Sequence, residues 1–293
     1  MITVHPPVIT LKAQTGSPTL LTSLSCPRSS QPQAQMVVPN FPPEIVDRII
    51  DMLFGDNKSL CSCLQVSTSW AHRSRHNLFA NVELRSLSDL YGWFWTGLGP
   101  SSHRARSLRL STKLSAGSEW MIPKKLAISR YDFTPFWNVK YLSLADLDLT
   151  PFDEESLTRY FGHFSNRLTS LRAERLTVHP DALLFFVCMF PKLDSLELDN
   201  LKMGRARVRS RIPATTPRLQ GNLALKNLRH NESSLIAFLA VLPIAFEYVC
   251  VEDCGFETPK LLNDLFAACR ETMKKVKVSR VFFGGFHLRG MPP

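Results

Sequence analysis

Residues 192–201 read KLDSLELDNL, and Leu193, Leu196, Leu198 and Leu201 set the pattern for the body of the chain. Leu196 and Leu198 flank Glu197, the alternation by which a strand sends two side chains into a core and one outward. Pieces of the same kind recur on both sides: Val82-Glu83-Leu84, Leu108-Arg109-Leu110, Leu142-Ser143-Leu144, Leu171-Arg172-Ala173, Leu223-Ala224-Leu225, Val249-Cys250-Val251 and Val276-Lys277-Val278. Taken in order with Leu196, their first residues stand 26, 34, 29, 25, 27, 26 and 27 positions apart. A recurrence on that scale marks a repeat architecture, in which each unit buries its apolar face against the next.

Helical segments fill the intervals. Thr150-Pro151-Phe152-Asp153 reads as a capping box with proline at the first helical position, leading into Leu157, Tyr160, Phe161 and Phe164. Pro180 introduces residues 182–190, apolar nearly all round and therefore expected to be buried. Residues 232–242 and 260–269 carry apolar stripes (Leu235, Phe238, Leu239, Leu242; Leu261, Leu262, Leu265, Phe266), and Ser86-Leu87-Ser88-Asp89 caps a further helix with Trp93 and Phe94. Strand alternating with helix predicts a mixed α/β fold, an irregular solenoid with right-handed crossovers, a parallel sheet on one side and helices on the other. A doubly wound sheet is the competitor. It wants a Gly-x-Gly-x-x-Gly turn after its first strand, which the chain lacks, and longer steps between strands.

Ahead of the repeat, residues 41–79 read FPPEIVDRIIDMLFGDNKSLCSCLQVSTSWAHRSRHNLF. Proline suits a first helical turn, and Glu44 and Asp47 sit at the positive end of the helix dipole. Ile45, Ile49, Met52 and Leu53, joined by Val46 and Ile50, form a broad apolar stripe at helical spacing. Phe54-Gly55-Asp56-Asn57 stops that helix and caps a second, expected to run through Leu60, Cys63, Leu64 and Val66 to about Ser69, with Trp70 at the corner. A third helical piece ends at Leu78-Phe79. Three short helices cannot bury so many apolar side chains among themselves, so the rest of the chain or a partner must complete part of that surface.

The residues Phe41, Pro42, Glu44, Ile45, Ile49, Leu53, Leu60, Val66 and Trp70, closed by Leu78-Phe79, resemble the F-box pattern, with Phe41 where leucine is usual and Pro43 filling the variable place. The body is similar to the irregular leucine-rich-repeat half of F-box proteins that carry both parts. Residues 192–201 follow its Leu-x-x-Leu-x-Leu-x-x-Asn-x-Leu form with Asn200 displaced by one place, and in that family the Asn hydrogen-bonds the backbone as the chain leaves the strand. The resemblance implies a substrate-recognition subunit of an SCF-type E3 ubiquitin ligase complex. The box, through Phe41, Pro42, Pro43, Glu44, Ile45, Ile49, Leu53, Leu60, Val66 and Trp70, would dock on the Skp-type adaptor and through it the cullin, while the repeat would hold an unidentified protein target. Such a subunit is not an enzyme and carries no cofactor. The domains expected are a disordered leader (1–38), an F-box-like module (39–80) and a repeat region (81–293), with Leu78-Phe79 leading into the first strand as its cap.

Composition agrees with a globular protein: 44% hydrophobic and 20% charged residues. No apolar run is long enough to span a bilayer, and residues 1–38 are rich in Pro, Ser, Thr and Gln without a single acid. Seven scattered cysteines favour reduced thiols and an intracellular place, cytoplasm or nucleus. Phosphate-binding loops, nucleophile elbows and His-Glu-x-x-His are absent from the sequence. Cys61 and Cys63, two apart on a helix, face different sides; Cys250 and Cys254 lack a second pair, and His72 and His76 lack a third ligand, so no metal site is expected. Asp146 and Asp148 are read as turn caps ahead of an acid–base pair. The net charge of +10 is uneven: residues 202–229 hold eight cations and no acid, among them Arg205, Arg207, Arg209 and Arg211. That loop is a candidate site for acidic or phosphorylated partners; nucleic acid is disfavoured because no aromatics interleave. The rival to the ligase reading is a non-catalytic repeat scaffold that binds acidic proteins or nucleic acid through this loop.

Overall fold

The computed structural model describes residues 41–85, 89–90, 92–93, 99–111, 133–203, 218–228, 239, 242–256 and 258–283. The chain separates into two compact units, 1–78 and 79–293. The Ser86-Leu87-Ser88 cap, most of the 232–242 helix and the arginines at 205, 207, 209 and 211 lie outside the described residues, as do 1–40 and 284–293.

In the first unit three helices are described: α1 (Pro43–Met52), α2 (Asn57–Cys63) and α3 (Thr68–Leu78). Pro42 caps α1, its carbonyl accepting from the amides of Ile45 and Val46. Gly55, at φ 100°, makes the turn, and Asp56 caps α2 by accepting from the Ser59 amide at 3.2 Å. Two expectations are corrected here. The second helix stops at Cys63 instead of reaching Ser69, because Ser67 opens a new one with its hydroxyl accepting from the Trp70 amide. Trp70 therefore lies inside the first turn of α3, not at a corner.

The second unit is mixed α/β around an eight-stranded, all-parallel sheet. Its strands are β1 (Asn81–Leu84), β2 (Ser107–Ser111), β3 (Tyr141–Ala145), β4 (Ser170–Glu174), β6 (Ser195–Asp199), β8 (Leu219–Lys226), β9 (Ile244–Glu252) and β11 (Lys275–Ser279). They lie in chain order throughout, with none of the reversal that a doubly wound sheet requires. Each spaced piece lands in a strand, and the register aligns Val82, Leu108, Leu142, Leu171, Leu196, Leu223, Val249 and Val276 as one row across the sheet. The first seven of that row are buried, as are their partners two residues on. They share one core with helices α4 (Glu154–Phe161), α5 (Pro180–Cys188) and α6 (Pro259–Cys269), in which Phe161 meets Phe186 edge-on at 5.1 Å. The expectation fails at β11. Val276 and Val278 are 40% and 48% exposed, since no later strand-and-helix unit among the described residues covers them.

Six of the eight strands, β3, β4, β6, β8, β9 and β11, are left through the same backbone geometry. Asp146, Arg175, Asn200, Asn227, Asp253 and Arg280, four places after the aligned row, all have φ between 51° and 57°. Asn and Asp tolerate this left-handed region, whereas arginine has no such local compensation. Arg175 and Arg280 are instead paired to the carboxylates of Asp146 and Asp253, their equivalents one unit earlier. Asn200 is suited to its place by its tolerance of a φ of 51°, while its backbone N–H donates to the Lys226 carbonyl as the equivalent N–H groups of Asp146, Arg175, Asn227 and Asp253 do one strand on. The chain then forms two-residue strands, β5 (Thr177–Val178) with β7 (Lys202–Met203), and β10 (Gly255–Phe256) with β12 (Phe282–Phe283). A further correction concerns α4: its cap is Asp153, accepting from the Ser156 amide at 2.9 Å, while Thr150 donates its hydroxyl to Asp148 at 2.7 Å.

Candidate functional site

On α1 the buried side chains are Val46 and Ile50, one turn apart. Ile45, Ile49 and Met52, at helical spacing, lie on another face and are 42%, 37% and 81% exposed, and Phe41, just ahead of the helix, is 49% exposed. Phe54 and Val66 add two more exposed apolar side chains at 45% and 53%. Pro42, Pro43 and Glu44 are exposed, and Leu53 and Trp70 are half-buried. Leu60 stands apart: it is fully buried, so it supports the unit from within and presents nothing to a partner. Met52 and Phe54 were not among the sequence candidates, although the former follows Ile45 by seven residues and the stripe already contained it.

This face is held in place from beneath. Arg73 of α3 grips Asp51 of α1 with two parallel hydrogen bonds, and Asn77 donates to Asp51 at 3.0 Å and to the Ile50 carbonyl at 3.3 Å. The hydrogen bond from Arg73 holds the Asp51 carboxyl below its ordinary range. A depressed folded-state pKa stabilises at pH above the unfolded value, about 4, and that contribution is lost as pH falls through the lower folded value. Asp51→Asn should therefore cost about 0.5–1 kcal/mol at neutral pH, the small figure reflecting side chains that are 42% and 34% exposed. Urea unfolding at pH 7 and pH 3 checks it; a penalty as large at pH 3 as at pH 7 would refute the ion-pair account.

The sheet presents a second surface, the face opposite the core. Glu83, Arg109, Arg172 and Glu197, each the middle residue of a strand piece, stand there with Glu174 and Lys226. Arg109 lies 3.5 Å from Glu83 and 3.1 Å from Glu174, crossing β3, where Ser143 and Ala145 are small enough to let it pass. Arg172 reaches Glu174 and Glu197 at 3.6 and 3.7 Å, and Lys226 closes on Glu197 at 2.6 Å. Burial pulls the Lys226 ammonium pKa down, but the bond and charge of Glu197 outweigh it and leave the pKa raised. Arg175 is raised by its bonds to Asp146. Opposite charges on five of the six sheet strands from β1 to β8 thus pair and largely cancel.

Asp148 accepts from the amide and hydroxyl of Thr150, as a turn cap does, whereas Asp146 is spent on Arg175. Cys61 is exposed and Cys63 buried, in keeping with their opposite sides of α2. Cys250 and Cys254 are both buried, and burial pushes the Cys269 thiol up. Among the described residues no group of three or more His, Cys, Asp or Glu could hold a metal ion, and no helix is long and apolar enough to cross a membrane. No protein-family model matches the chain, and neither does any curated protein.

Proposed function

We propose that the chain is a substrate-recognition subunit of an SCF-type ubiquitin ligase. In this reading residues 39–80 are an F-box that docks on the Skp-type adaptor through Phe41, Pro42, Ile45, Ile49 and Met52. Residues 81–293 are a right-handed, leucine-rich-repeat-like solenoid that holds a protein target. The carrying observation is the line of exposed apolar side chains on α1, set on a unit that has its own buried residues in Val46, Ile50, Leu60 and Cys63. Contiguous apolar surface of that kind marks a binding face. Supporting the second half are the register-aligned row across eight strands and the left-handed exit shared by six of them. The chain contributes no catalytic group in this scheme; it raises the effective concentration of the target beside the ubiquitin-charged enzyme.

Co-purification with a recombinant Skp-type adaptor tests the docking half. The wild-type chain should retain the adaptor, and Pro42→Ala with Ile45→Ala should lose it while helical circular dichroism stays unchanged. Undiminished retention by the double variant sinks the assignment.

A further inference from the structure

A parallel sheet gathers the entry ends of its strands along one edge, and at β2–β4 that edge has an unusual chemistry. The amides of Lys140 and Tyr141 both donate to the Arg106 carbonyl, and those of Thr169 and Ser170 both donate to the Lys140 carbonyl, so three entry segments are stitched side by side. Asn138 donates to the His103 carbonyl at 3.2 Å and accepts from Arg167 at 3.1 Å, while the Arg167 guanidinium lies 4.5 Å over the Trp137 ring. Trp137 and Tyr141 are 45% and 52% exposed, the latter flanked in register by Ser107 and Ser170. Arg106, Lys140 and Arg167 are exposed around them. Residues 99–111, 133–145 and 162–173 contain no Asp or Glu. The acids of these strands stand at the opposite, exit edge, in Asp146, Asp148 and Glu174. Of the acids near the other strand entries, Glu247 is paired to Lys274 and Asp194 sits beside Gly221.

We infer that the strand-entry edge of β2–β4, built on Trp137, Lys140, Tyr141 and Arg167, docks an acidic polypeptide segment. The cations set the sign of the partner. Tryptophan, tyrosine and arginine are the side chains that most often dominate protein interfaces, because they bury large, stiff surfaces at small entropic cost. Two strand steps span about 10 Å, the length of about three extended residues, which suits a short acidic stretch with an apolar anchor. A nucleic acid strand would need a row of rings for successive bases. Here one of two rings already carries Arg167. The inference deepens the target-holding half of the proposed function and rests on it only in naming the partner a target.

Fluorescence anisotropy of a labelled decapeptide of glutamates with one central leucine against the full chain tests it without any adaptor, so failure here and failure of adaptor docking remain separate results. The wild type should bind, more weakly as salt rises. Lys140→Glu should weaken binding by about tenfold, and Trp137→Ala with Tyr141→Ala by about as much, with unchanged circular dichroism. Replacing Arg205, Arg207, Arg209 and Arg211 by Gln should change it by no more than about twofold. The inference is overturned if the peptide does not bind, if the four-arginine variant loses binding and Lys140→Glu does not, or if labelled oligothymidylate of equal length binds more tightly and is lost on Lys140→Glu.

Discussion

Gly221→Ala should lower the stability of the sheet unit by about 2–4 kcal/mol. Gly221 has a φ of 80° in β8, and a Cβ built there would stand 2.0 Å from the Asp194 carbonyl oxygen and 2.2 Å from Asp194 Oδ1. Neither approach is tolerable, and the carbonyl belongs to backbone that cannot swing aside. That same carbonyl accepts from the Asn222 amide at 2.7 Å, and the pairing of β8 with β9 shifts register between Gly221 and Asn222. Relieving the clash therefore pulls apart the entry to β8 on both sides. Gly162→Ala is the control. Its φ is −60° and the nearest neighbour of a new Cβ is Thr158 Cγ2 at 3.4 Å, so it should lie within about 0.5 kcal/mol of wild type. Thermal and urea unfolding measure both; equal stability of the Gly221 variant and the wild type would show that β8 does not bend as described.

Leu171→Ala and Val278→Ala form the second test. Both residues belong to the inward rows set by the register, yet Leu171 has no exposed surface and Val278 is 48% exposed. Truncating Leu171 removes its transfer energy and leaves a cavity in a core bounded by two strands and the aromatic side chains of α4 and α5, a cost of about 3–4 kcal/mol. Truncating Val278 leaves no cavity and should cost about 0.5 kcal/mol or less. Urea midpoints separate them by several-fold. A similar loss at both positions would mean that β11 is covered as fully as its neighbours.

The strands were legible because period two survives in three residues: Leu196-Glu197-Leu198 reads the same in isolation as in the sheet. The short strands at Thr177–Val178 and Lys202–Met203 were not, since two residues carry no period. The left-handed exits were hidden for another reason. Asp146, Arg175 and Asn200 share a backbone angle and no side-chain chemistry, and the angle is imposed by the sheet on either side. At α4 a competing hydroxyl acceptor, Asp148, drew Thr150 away from the cap that its spacing suggested. On the helical unit the apolar stripe was visible as a whole, but which of its members turn inward was not: Val46 and Ile45 are adjacent and equally apolar, and only the placement of α3 separates them. Trp137, Lys140 and Arg167 could not be joined from the sequence, because parallel register brings them together from two different units.

Because the order of strands in the sheet is the order of strands in the chain, the length of this sheet is a free variable. A duplication or loss of one spacing, near 26 residues, adds or removes a strand without re-pairing any of the others. The width of the sheet can then change by tandem copying inside the gene while the helical unit stays as it is. A lineage could lengthen or shorten such a sheet by counting units before altering a single side chain.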